Sequence, residues 1–201
     1  MTDSKRWIGI SLLLGACVGA AGPAWAHTGL DIGGGLAAGF MHPFLGADHL
    51  LAMLTVGALA ATAAAGNRAL WALPLSFMVI MALGGALGLA RLPLPAVEQG
   101  IALSLVVFGA LLATRIGLPV PAAMAIIGLF ALFHGHAHGA ELPEFASPVG
   151  YVAGFVAATG LLHLAGIVVA RTLARFESSR ISVLRLAGGA VAASGVALLI
   201  V

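Results

Sequence analysis

Charge is scarce in this 201-residue chain: Lys and Arg number 9, Asp and Glu 7, and charged residues make up 8% of the total. A soluble globular domain carries roughly 25%, so that class is excluded. Apolar residues reach 61% and the mean hydropathy is +1.12, which describes an integral membrane protein. Cysteine is almost missing as well, and a single Cys17 rules out a disulfide within the chain. There is no phosphate-binding Gly-Lys-Ser/Thr loop, no paired nucleotide domain and no long soluble stretch, so the chain does not hydrolyse ATP by itself. The net charge of +2 comes from Arg residues in connecting segments; they serve topology and form no nucleic-acid face. What the chain has in abundance is small residues, 28 of them Gly, as expected where helices approach closely in lipid.

Residues 1–26 read as a secretory signal peptide, with Lys5 and Arg6 as the basic start, Trp7 to about Gly22 as the apolar stretch, and Ala24-Trp25-Ala26 as the small-x-small cut. Two rival readings are a lipoprotein box at Leu14-Gly15-Ala16-Cys17 and an uncleaved first helix. A cut after Ala26 frees His27 to offer both its α-amine and its ring to a metal; otherwise His27 offers the ring alone or belongs to a tail. The mature chain, residues 27–201, is expected to be an all-α bundle of six transmembrane helices. They run over about Gly34 to Ala64, Leu70 to Ala90, Ala96 to Thr114, Val120 to Gly139, Pro148 to Ala170 and Ser182 to Val201. The first is longer than one straight span needs, and Gly39 and Pro43 interrupt it; a broken or re-entrant segment before Pro43 is expected.

Charge in the connections orients the bundle. Arg68, Arg115, Arg171, Arg175, Arg180 and Arg185 fall on one side with Glu177, whereas Arg91 shares the other side with Asp31, Glu98, Glu141 and Glu144. By the positive-inside rule the Arg-rich side is cytoplasmic and both mature termini are outside, as for a bacterial inner-membrane protein. The acidic, His-bearing side then faces the external supply of cations.

Within these apolar runs lies a stretch that a bilayer penalises by several kcal/mol per polar group without a partner or ligand: His42-Pro43-Phe44-Leu45-Gly46-Ala47-Asp48-His49-Leu50-Leu51-Ala52-Met53. A second one, His134-Gly135-His136-Ala137-His138-Gly139-Ala140-Glu141, repeats its ligand types. Five of the seven histidines fall in these two clusters, which together suggest one metal site. On an ideal helix His42, His49 and Met53 share a face, and Asp48 either binds from the side or orients a neighbouring imidazole. His134 and His138 share a face that Glu141 extends. His136 points away if the helix continues, and joins them if Gly135 and Gly139 unwind it. Imidazole with carboxylate suits nickel, cobalt, zinc or copper rather than magnesium or calcium. His163 in the fifth span reads as a packed core residue or as part of an ion path, and Glu98 as interfacial or as part of the mouth. Met41, Met78, Met81 and Met124 read as packing residues, while Met53 alone among the methionines has a positional claim on the site. Trp71 and Tyr151 fit an aromatic belt.

The pattern His42-Pro43-x-x-Gly46-x-Asp48-His49-x-x-x-Met53, with His27-Thr28-Gly29 after the signal and Phe133-His134-Gly135-His136-Ala137-His138-Gly139-x-Glu141, resembles the HupE/UreJ family of bacterial membrane proteins. That family is associated with hydrogenase and urease gene clusters and regarded as nickel or cobalt permeases. The resemblance covers nearly the whole chain. It implies a permeation site at His42, Asp48 and His49, with His134, His136, His138 and Glu141 contributing from a partner helix, and Ni²⁺ or Co²⁺ bound in passing as cargo rather than as a prosthetic group. The first motif is also similar to the His-x4-Asp-His signature of the larger nickel/cobalt transporters, although five residues separate His42 from Asp48 here. The expected function is therefore a secondary permease and not an enzyme, with His27, Asp31 and the acidic fourth-to-fifth connection raising the local cation concentration. Its partners are the divalent ion and the bilayer, with a homo-oligomer left open. An intramembrane zinc hydrolase using the same ligands is the rival reading, and a b-type haem carrier with paired His the second rival.

Overall fold

The computed structural model describes residues 35–63, 66–143, 146–175 and 182–200. The signal peptide, its cut, His27, Asp31, Glu144, Glu177 and Arg180 lie outside the described residues. Seven helices form the described fold: α1 (Gly35–Leu45), α2 (Ala47–Thr62), α3 (Asn67–Leu89), α4 (Val97–Thr114), α5 (Val120–Ala140), α6 (Pro148–Arg175) and α7 (Val183–Ile200). Five of them, α3 to α7, are each long and apolar enough to cross a membrane, and α1 with α2 passes the same criterion as one bent pair. The bend is 84°.

The break in the first segment is three residues later than the sequence suggests. Pro43 is accommodated inside α1, and the chain turns at Gly46, whose φ of −99° and ψ of 118° are extended. Pro43 near the helix end removes only one intrahelical hydrogen bond, so the helix survives for two more residues. Asp48 then starts the next one: its Oδ1 accepts from the backbone N–H of His49 at 2.7 Å, and a carboxylate in a first helical turn is favoured by the helix dipole. The helix α6 also departs from expectation, running to Arg175 beyond Ala170. Leu173 packs against the small cluster of Ala58, Leu112, Ala170 and Leu184, which holds this last turn in place.

Helices that are apolar all round cannot sort their faces by polarity, and here they sort them by size and shape. On α3 the side chains of Trp71, Leu75, Val79 and Leu83 point outward at four-residue spacing, while Leu73, Phe77, Met81 and the glycines at 84, 85 and 88 point inward. The most extensive packing joins α3 to α5, α4 to α7, and α1 and α2 to α6. At the α3–α5 seam a Cβ on Gly135 would collide with the Met81 carbonyl, and one on Gly139 with the Gly85 carbonyl. Only glycine lets the two backbones approach this closely, and that approach fixes the height and rotation of α5. Gly135 and Gly139 therefore serve packing, and α5 stays helical through Ala140 instead of unwinding. At the end of the bundle opposite the bend, Arg115 donates to Ser182 Oγ at 2.9 Å and Arg185 to the Ala113 carbonyl at 2.7 Å.

Gly135→Ala is expected to lower the melting temperature of the detergent-purified protein by several degrees, the overpacking costing about 1–3 kcal/mol. Gly189→Ala is the control, because an added Cβ there meets nothing within 4 Å. A thermal ramp followed by size exclusion distinguishes the two.

Candidate functional site

The bend at Gly46 decides how the first cluster is arranged. With α1 folded across α2, His42 reaches His49 from another direction than a straight helix would give, and the two rings lie 6.3 Å apart, edge to face. His42 occupies the last turn of α1 and His138 the last turn of α5. Two negative helix ends thus converge on the cluster, which favours a cation there.

Between them the rings form a file. His42 lies 4.7 Å from His138, His138 4.7 Å from His49, and His49 4.7 Å from His134, centroid to centroid. The file leads from exposed to buried: the side chains of Glu141 and His42 are 38% and 22% exposed, whereas His134 and His138 are fully buried. Aromatic side chains wall it. The His138 ring stacks on Phe155 at 4.8 Å, Tyr151 lies 5.9 Å from His42, and Phe77 lies 5.6 Å from His134.

The hydrogen bonds assign the nitrogens. A carboxylate only accepts, so His49 donates Nδ1–H to Asp48 Oδ1 at 2.9 Å and keeps its lone pair on Nε2. His42 likewise gives Nε2–H to Glu141 Oε2 at 3.1 Å. Ser104 has one hydroxyl proton and spends it on the Ile101 carbonyl at 2.6 Å, so its oxygen accepts Nε2–H of His134 at 2.9 Å and leaves the lone pair on Nδ1. The free nitrogens of His49 and His134, and both of His138, are buried and have no protein partner. Each N–H held by an oxygen fixes the tautomer, raises the basicity of the opposite nitrogen and prepares it as a ligand. Asp48 therefore sits as the orienting partner of His49. Glu141, just beyond α5, is held below the ordinary carboxylate value by its hydrogen bond from His42.

Of the sequence-predicted residues, His42, Asp48, His49, His134, His138 and Glu141 come together. His136 does not: it projects from the other side of α5, gives Nε2–H to the Leu92 carbonyl at 2.8 Å, and lines a cavity of about 540 Å³ with Arg91 and Pro143. Met53 lies one turn deeper than His49, where its sulfur accepts from Thr159 at 3.4 Å. His163 is deeper still, 5.2 Å from Phe77. Among the described residues no three His, Cys, Asp or Glu donors converge closely enough to enclose a metal ion. The imidazoles touch in sequence, ring against ring.

Some neighbours of the file escape sequence reasoning. Tyr151 reads as an interfacial belt residue, yet it is 1% exposed and packs beside His42; its place near a helix start says nothing about which way it faces. Trp71, by contrast, is 62% exposed on the outside of α3. Ser104 gave a usable signal, being a hydroxyl in the middle of an apolar span. Phe77 and Phe155 gave none, since a buried aromatic is ordinary core.

No solved structure matches the chain. Protein HupE of Rhizobium leguminosarum bv. viciae is 49% identical over 177 residues, which span 88% of this chain and 90% of that protein. The family described as HupE / UreJ protein matches residues 15–198. With that match over nearly its whole length, and with its paired His clusters drawn to one end of a helical bundle, the chain belongs to the HupE/UreJ family.

Proposed function

We propose that this protein is a secondary permease that takes up Ni²⁺, with Co²⁺ as the next cargo, across the bacterial inner membrane through the His42 to His134 file. The observation that carries the reading is the set of imidazoles whose N–H groups are tied to Glu141, Asp48 and Ser104 and whose other nitrogens are left for a ligand. A resting stack of contacting rings suits an ion that is handed from donor to donor better than one held in a closed polyhedron, because conduction needs sites that release as readily as they bind.

Charge balance supports a divalent cargo. Asp48 and Glu141 supply two negative charges beside the file, which neutralise one divalent ion in a medium that penalises net charge. Glu98, exposed in the first turn of α4, is close enough to feel Asp48 and Glu141 and adds to the acidic mouth. His27 and Asp31 precede α1 in the chain and in this reading raise the local cation concentration. With the Arg-bearing ends of α3, α4 and α6 in the cytoplasm, both termini and the mouth face the periplasm. An inward-negative potential of 100 mV then contributes about 4.6 kcal/mol per divalent ion, at about 2.3 kcal/mol per charge, so uptake needs no nucleotide. Imidazole-rich donors disfavour Mg²⁺ and Ca²⁺.

Two outcomes test this. In cells expressing matched amounts of protein, His42→Ala and Asp48→Asn abolish radioactive nickel uptake, and excess cobalt competes with the wild type better than zinc or manganese. Full uptake by either correctly inserted variant refutes the assignment. Ser104→Ala, which removes the acceptor that fixes the His134 tautomer, lowers uptake about 10- to 100-fold at unchanged expression, as read from initial rates against nickel concentration.

A further inference from the structure

Below the imidazole file three helices place matching residues in layers. Met53 on α2, Met81 on α3 and Thr159 on α6 meet: Thr159 Oγ1 lies 3.4 Å from Met53 Sδ and 3.6 Å from Met81 Sδ. One turn further along each helix come Gly57, Phe77 and His163, where a Cβ on Gly57 would strike the His163 carbonyl and the Phe77 ring lies 5.2 Å from the His163 ring. All four side chains that could donate to a metal here, those of Met53, Met81, Thr159 and His163, are buried, and neither ring nitrogen of His163 has a protein partner. An imidazole with two orphaned nitrogens deep in a bilayer is costly, and such a residue marks a path or a site.

We propose that Met53, Met81, Thr159 and His163 form a second, inner station for the metal ion, reached from His134 past the Phe77 ring. The proposal rests on the permease reading and adds to it a distinct donor set. From His49 to Gly57 the helix descends about 12 Å, a large part of the way to the centre of a hydrocarbon core about 30 Å thick. An ion that stopped at His134 would still have most of the layer to cross. The inner station carries no carboxylate: its donors are one imidazole, two thioethers and a hydroxyl. Thioethers are soft and hold a borderline divalent ion weakly, so the ion is partly desolvated by the station yet not trapped, as passage requires. Charge-rich capture outside and neutral, weak ligation inside give the ion a graded descent.

The test uses the full-length protein in proteoliposomes with an inward-negative potential and Ni²⁺ alone as the probe. Loading of the outer file is followed separately by Co²⁺ absorption of the purified protein. His163→Gln and the double variant Met53→Leu with Met81→Leu, which keeps side-chain volume, are expected to load the outer file with wild-type affinity and to transport about tenfold or more slowly. Wild-type transport rates in both variants overturn the inner station. Loss of outer loading in parallel with transport also overturns it, since the residues would then act only by holding the fold. A wild type that neither loads nor transports removes the permease reading itself, and the station with it.

Discussion

Burying an imidazole is costly unless its N–H meets an oxygen, and three of the four rings at the bend end of the bundle meet one. Asp48 serves His49 from the adjacent position, Ser104 serves His134 from another helix, and Glu141 serves His42 from beyond the end of α5. At His49 and His134 the pairing meets the cost of burial for one nitrogen and leaves the other unmet. The unmet nitrogens make the site chemically useful, and they lie on rings that touch in a line. Removing any one oxygen would leave a donor stranded as well as a tautomer unfixed, so stability and ligand readiness are coupled here.

The pairings depend on two backbone devices. The extended residue Gly46 turns α1 by 84° and brings His42 back over His49. The glycine seam between α3 and α5 sets α5 close enough to the bundle axis for His134 and His138 to enter the core. In a soluble protein a hydrophobic core would draw these helices together. In lipid, where both faces of a helix are equally at home, close backbone contact between small residues does that work.

Exposure, charge and donor type change together along the bundle. The end at the bend carries carboxylates and partly exposed His42, the middle carries buried imidazoles, and the interior carries thioethers with His163. The cationic side chains of Arg115 and Arg185 gather at the opposite end and bind to backbone and Ser182. In the proposed permease, an ion entering at the acidic end meets progressively drier and less charged surroundings.

The sequence by itself determined the membrane class, the number of apolar segments, most helix limits and the two clusters of ligand-type residues. These are statements about composition and local periodicity, which the bilayer enforces segment by segment. It also marked His42, Asp48, His49, His134, His138 and Glu141, since charge and imidazole stand out against apolar neighbours. Tertiary structure alone decided that His136 turns away to the Leu92 carbonyl, that Tyr151 lies inside beside His42, that Ser104 fixes His134, and that Met81 meets Met53 across Thr159. The reason is physical: in a helix apolar on every side the sequence does not mark which face is inward, and that choice is made by the glycine contacts between helices distant in the chain.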